Sequence, residues 1–108
     1  MSESRSEPLP DDDVFVLGPY RWRSRLFVGT GKYETFELMR ACHETSETEV
    51  VTVAVRRVNL DPKKGPSILE FLDRERIAIL PNTAGAFDAE TAVRTARLAR
   101  ELLETDLI

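Results

Sequence analysis

The 108 residues contain one cysteine, one histidine, one tryptophan and three lysines. A lone Cys42 excludes an internal disulfide and fits a reducing setting, so a cytoplasmic location is expected. With only His43 beside it, and no C-x-x-C or H-x-x-x-H pair, the chain lacks the ligand spacing of a metal site. His43 therefore reads as a packed or partly exposed helix residue. No apolar run reaches the roughly 20 residues of a membrane helix. The opening "MSESRSEPLPDDD" has no apolar segment of the kind a signal peptide carries. Schiff-base chemistry needs a desolvated lysine. Lys63 and Lys64 fall in the polar loop "DPKKGP" and Lys32 adjoins a flexible turn, so none is a credible candidate. No serine–histidine–acid set or catalytic carboxylate pair is evident, and no motif calls for a cofactor.

Charge is unevenly placed. The formal net charge is −4, and residues 1–13 account for all of it, with five acids against Arg5. Fourteen charges of each sign remain in the rest of the chain. With Pro8 and Pro10 among these acids, residues 1–13 read as a disordered, solvating tail and residues 14–108 as the folded part. A neutral folded part behind an acidic tail also argues against a nucleic-acid partner. The stripe Arg21, Arg23, Arg25, flanked by Tyr20 and Trp22, is better read as covering a sheet or barrel end.

Patterning then gives an order of elements. "VFVL", the turn residues "GPY" and "RWRSRLFVGT" predict a hairpin whose second arm runs on into a longer strand, with Trp22, Ser24 and Leu26 on one face. A helix is expected over about Glu34–Thr45, from Phe36, Met39 and Cys42. "VVTVAV", Val50–Val55, reads as a strand covered on both sides. Ser67-x-x-Glu70 is a capping box opening a short helix. "IAIL", Ile77–Leu80, is a third strand, expected to stop at Pro81, Asn82 and Gly85. Ala89, Ala92, Val93, Ala96, Ala99, Leu102 and Leu103 form one apolar stripe of a final helix, with Asp88 at the N-cap. Glu90–Arg94, Arg97–Glu101 and Arg100–Glu104 are spaced as ion pairs on its wet face. Strand–helix alternation with two-sided strands indicates an α/β fold with a parallel sheet. Leu107 and Ile108 read as the start of a fourth strand, so the chain is expected to be truncated there.

"SRLFVGTGKY" looks like a phosphate loop, but the pattern fails. A Walker A loop would put glycine where Leu26 stands and a hydroxyl where Tyr33 stands; a dinucleotide fingerprint would need glycine at Glu34. The position of this stretch is informative all the same. Gly29–Lys32 follows the first parallel strand, Arg56 and Arg57 the second, and Asn82-Thr83-Ala84-Gly85 the third. In α/β architectures the carboxyl ends of strands form the ligand-binding rim. The alternative is that glycine and asparagine only make the turns.

"SRLFVGTGKY", "VVTVAVRRVNL" and "ILPNTAGAFDAETAVRTARLARELLETDLI", in that order and at these distances, resemble the amino-terminal part of bacterial thiazole synthase, from about Phe15 to Ile108. The resemblance implies the hairpin and first three strand–helix units of a (βα)8 TIM barrel, truncated at the start of strand four. It implies a synthase of thiamine biosynthesis that joins 1-deoxy-D-xylulose 5-phosphate, dehydroglycine and sulfur from a carrier-protein thiocarboxylate. The ketose is held as a lysine imine. That lysine would follow Ile108, so no catalytic residue is carried over and this piece alone is expected to be inactive. Gly29, Thr30, Gly31, Lys32, Arg56, Arg57, Asn82 and Thr83 match the family's rim as substrate-pocket or carrier contacts, and a homo-oligomer is expected of the parent enzyme. The rival expectation is a non-catalytic module that docks on a full-length subunit or the carrier through its sheet edge. A compact flavodoxin-like domain is a third.

Three positions depart from the family pattern. Glu47 stands near the place where the family usually has a glycine that ends a helix in left-handed geometry. His43 replaces an apolar residue and is expected to loosen packing. Asp88-Ala89-Glu90-Thr91 keeps the cap but loses the reciprocal glutamate.

Overall fold

The computed structural model describes residues 13–108. Of the expected acidic tail only Asp13 lies within the described residues, and it is tied to Arg25: the guanidinium donates to its carbonyl at 3.2 Å and pairs with its carboxylate at 3.6 Å.

The hairpin forms as expected, from β1 (Phe15–Leu17) and β2 (Tyr20–Trp22), antiparallel with Phe15 opposite Trp22 and Leu17 opposite Tyr20. Gly18, at φ 56°, supplies the left-handed residue of its two-residue loop. Trp22 packs edge-on to Phe27 with ring centres 5.7 Å apart, and Phe15 stands 6.0 Å from Trp22. This aromatic cluster holds the hairpin to the main sheet.

The second arm does not run on. After Trp22 the chain leaves strand geometry and re-enters it only at β3 (Phe27–Val28). The cause is Glu49, whose Oε1 accepts the N–H groups of both Arg23 and Ser24 at 2.7 Å. A backbone bonded to a carboxylate is not paired in a ladder. Trp22 and Ser24 are buried as the alternation requires, but Leu26 is 51% exposed.

The main sheet is parallel, in the order β3–β4–β5, with β4 over Val50–Ala54 and β5 over Ala78–Asn82. Val50, Val51 and Val53 of β4 are all buried, so both faces of that strand are covered. The buried Thr48 helps seat it, donating from Oγ1 to the Leu26 carbonyl at 2.6 Å. β5 runs through Pro81 and Asn82 instead of stopping before them. Among the described residues β5 pairs only with β4, and proline, which has no N–H to offer, is tolerated on an edge strand.

Helix α1 spans Phe36–Ser46, capped by Thr35, whose hydroxyl accepts the Leu38 N–H. Met39 is its buried contact with the core, whereas Cys42 is exposed. The helix ends at Glu47 with φ 57°, the left-handed position anticipated from the sequence. The capping box at Ser67 and Glu70 forms in full, yet it opens a four-residue 3-10 turn, Ile68–Phe71, and not an α-helix. The second crossover is thus covered by one turn, in which Phe71 packs 5.1 Å from Phe36 of α1.

Helix α2 spans Ala89–Leu103. Ala99 and Leu103 are fully buried, while Val93 and Ala89 of the expected stripe are exposed. Of the three expected ion pairs only Glu90–Arg94 closes, at 3.5 Å, among the described residues. Met39, Val51, Val53, Ile79 and Leu103 make one core between the sheet and the two helices, extended by Ile68, Leu72 and Ile77. No helix is long and apolar enough to cross a membrane among the described residues.

Two predictions arise from the ends of α2. Asp88 accepts the Thr91 N–H at 2.7 Å, and this bond holds its carboxyl below the ordinary 3.8. A lowered folded-state pKa contributes stability above 3.8 that is lost as pH falls through the folded value. Thermal melts from pH 7 to pH 2 should therefore show the native chain falling relative to Asp88→Asn, which caps without titrating. Parallel curves would contradict this cap. At the other end Glu104 sits at φ 52°. Glu104→Gly should raise the stability read from a urea midpoint by about 0.5–1 kcal/mol, because glycine adopts this geometry without strain.

Beyond Glu104 the chain turns back along the open edge of β5. Thr105 Oγ1 reaches the Ile79 carbonyl at 3.5 Å and accepts the Leu107 N–H at 3.1 Å. Leu107 is half-buried and Ile108 exposed.

Candidate functional site

Three loops leave the carboxyl ends of β3, β4 and β5, and parallel strands bring all three to one end of the sheet. The first is Gly29-Thr30-Gly31-Lys32. Thr30 Oγ1 donates to the Thr52 carbonyl of β4 at 2.9 Å, which ties this loop to the neighbouring strand. A Cβ on Gly29 would lie 3.6 Å from Thr52 Oγ1, an ordinary contact. Lys32 has φ 70°, a left-handed backbone in a residue that gains nothing sterically from it. Such a conformation costs about 1–3 kcal/mol and persists only where the surroundings impose it.

The second loop begins with the 3-10 turn Val55–Arg57. Its two arginines diverge toward the two neighbouring loops. Arg57 extends to the first, where a Cβ on Gly31 would meet its Nη1 at 3.8 Å. Arg56 lies across the third, where a Cβ on Gly85 would stand only 2.8 Å from its Nη1. Gly85 also has φ 91°, so the backbone favours glycine there, and a side chain would push the Arg56 guanidinium aside. In the third loop the Asn82 side-chain oxygen accepts the Ala84 N–H at 3.1 Å, and the Thr83 carbonyl accepts the Ala86 N–H at 3.1 Å. That oxygen of Asn82 is engaged in making the turn.

Seven of the eight residues named from the sequence stand on the three adjoining loops and the eighth, Asn82, ends β5 beside them, with Thr30 bonded to Thr52, Arg57 near Gly31 and Arg56 over Gly85. Lys32, Arg56 and Arg57 are exposed, and none has a carboxylate within ion-pair reach among the described residues. Three cations at one end of a sheet favour an anionic ligand. Lys63 and Lys64 lie elsewhere, exposed in the 3-10 turn Pro62–Lys64. The described residues include no cluster of three or more histidines, cysteines or acids placed to hold a metal ion.

Sequence patterning did not single out Thr52, the one polar residue inside "VVTVAV", whose carbonyl anchors the first loop. Gly85 was placed on the rim with the rest of the third loop, but its position beneath Arg56 was not foreseen. His43 is buried, as one of the two sequence-based readings had it, with Nε2 3.0 Å from the Gly29 carbonyl.

The family model described as "Thiazole biosynthesis protein ThiG" matches residues 16–108. Over 98 residues the chain is 55% identical to a thiazole synthase of Stutzerimonas stutzeri, covering 90% of this chain and 37% of that relative. Over 94 residues it is 56% identical to a thiazole synthase of Pseudomonas entomophila, covering 86% of this chain and 35% of the relative. A thiazole synthase of Solibacter usitatus is 51% identical over 90 residues, 83% of this chain and 35% of its own length. The chain spans about a third of the length of these curated relatives. A family match over residues 16–108, with relatives more than half identical over most of the chain, means that the chain belongs to the ThiG family of thiazole biosynthesis proteins.

Proposed function

We propose that this chain supplies the hairpin and first three strand–helix units of a (βα)8 barrel whose activity is thiazole synthesis. The observation that carries the reading is the strand order. β3, β4 and β5 are parallel and each is added beside the one before it, as successive staves of a barrel are. A flavodoxin-type sheet, in the order 2-1-3-4-5, instead sets its third strand on the far side of the first. The approach of Thr105 to the free edge of β5 is where a fourth stave would begin.

On this reading the whole enzyme condenses 1-deoxy-D-xylulose 5-phosphate, dehydroglycine and a carrier-protein thiocarboxylate, with the ketose held on a lysine of the fourth strand. Gly29–Lys32, Arg56, Arg57, Asn82 and Thr83 form part of the pocket mouth. Arg56, Arg57 and Lys32 attract either the substrate phosphate or the anionic end of the carrier. The glycines leave room for close approach. None of this chain's own lysines carries the imine, since all three are exposed and an imine lysine works in a desolvated pocket. A cytoplasmic homo-oligomer accords with this assignment.

The test is a chimera in which residues 14–108 replace the matching segment of the Stutzerimonas stutzeri relative. Borohydride reduction with the ketose phosphate should trap an adduct on the chimera and none on the 108-residue chain. Arg56→Ala or Arg57→Ala in the chimera should lower kcat/KM about tenfold, the loss of one charge-assisted contact. A folded chimera without adduct, or an adduct on Lys32, would overturn the assignment. A folded, inactive chimera would instead favour a non-catalytic module docking through the open edge of β5.

A further inference from the structure

We propose that His43 is a positioning residue that holds the first rim loop from beneath, through both ends of the turn. Its ring is 2% exposed on α1. Nε2 lies 3.0 Å from the Gly29 carbonyl. A carbonyl only accepts, so Nε2 carries the proton and donates. On the far side of the turn Tyr33 meets the imidazole edge-on, with ring centres 5.9 Å apart and planes at 85°. One side chain therefore grips the turn at residue 29 and at residue 33. Between these grips lies Lys32 in its left-handed conformation, which needs such constraint. Thr30 adds the third anchor through Thr52.

Packing alone does not account for this histidine. With the proton on Nε2, the other ring nitrogen, Nδ1, is buried with no partner among the described residues. An aliphatic side chain would fill the space with no unpaired nitrogen. The benefit that offsets this cost is the donor delivered to Gly29. The inference rests on the reading of Gly29–Lys32 as part of the pocket mouth.

His43 is the only histidine, so nitrogen-15 NMR of the 108-residue chain reports its ring without overlap. The expected signature is the Nε2–H tautomer with a proton that exchanges slowly. His43→Leu should preserve the core but free the turn, with order parameters at Gly29, Thr30 and Gly31 falling from about 0.85 toward 0.6. His43→Gln, whose amide nitrogen reaches the same position, should restore them. In the chimera the leucine variant should raise KM more than it lowers kcat, and the glutamine variant should recover both. An Nδ1–H tautomer, or an unchanged turn in the leucine variant, would overturn the proposal. If the leucine variant does not fold, the native tautomer and the glutamine variant decide it. A loosened turn with unaltered kinetics would support the grip of His43 and overturn the pocket reading instead.

Discussion

Ile79→Ala is expected to lower the stability of the chain by about 2–5 kcal/mol, the range for truncating a large aliphatic side chain inside a packed core. Ile79 is 1% exposed, sits opposite Val51 in the β4–β5 ladder, and belongs to the core with Met39, Val53 and Leu103. These residues come from the sheet and from both helices, so a cavity there weakens every layer at once. A domain of this size has only about 5–15 kcal/mol in total. The contrast is Leu60, which is 64% exposed. Leu60→Ala should change stability by no more than about 0.5 kcal/mol. Urea unfolding of the two variants checks the assignment, and equal shifts would contradict the core described above.

Glu49→Ala is expected to cost about 2–3 kcal/mol, and Glu49→Gln roughly half as much. One carboxylate oxygen accepts two backbone N–H groups, from Arg23 and Ser24, each at 2.7 Å. Bonds to a charged acceptor contribute about 1.5–3 kcal/mol each, and the half-buried position of Glu49 reduces that toward the lower end. Glutamine retains an acceptor oxygen without the charge. The Glu49 backbone carbonyl also accepts the Ala78 N–H at 2.8 Å, a bond that both substitutions leave in place. The effect should therefore fall on the hairpin and spare β5. Trp22 is the sole tryptophan and lies buried at that hairpin. Its emission should shift to longer wavelength in Glu49→Ala at denaturant concentrations that leave the native chain folded. Unchanged emission would contradict the role assigned to Glu49.

The same carboxylate explains where sequence patterning stops short. The break after Trp22 is imposed by a residue more than twenty positions further on, and nothing within "RWRSRLFV" announces it. Local signals, by contrast, were legible because their causes are local. Asp88 before an apolar stripe, Ser67 and Glu70 three apart, and Gly18 in a two-residue loop each satisfy backbone groups within a few residues. Pro81 misled because proline stops a strand only where its missing N–H is needed, and among the described residues only β4 pairs with β5. The capping box at Ser67 correctly located a turn but carried no information on its length. On the rim, small and cationic residues after each strand could be read directly. The crossing of Arg56 over Gly85 and of Arg57 toward Gly31 could not, since each joins loops brought together only by the parallel register. His43 was expected to loosen the packing of α1. It is buried against Gly29 and Tyr33, with one ring nitrogen unpaired among the described residues.

On the proposed reading, β3, β4 and β5 are consecutive staves whose carboxyl-end loops open onto the ligand. A crystal structure of the chimera with the ketose phosphate bound tests it most directly. A parallel strand should begin near Thr105 and pair with the free edge of β5, and Arg56 or Arg57 should touch the ligand. A ligand seated at the amino ends of the strands, or a β5 edge left open, would contradict it.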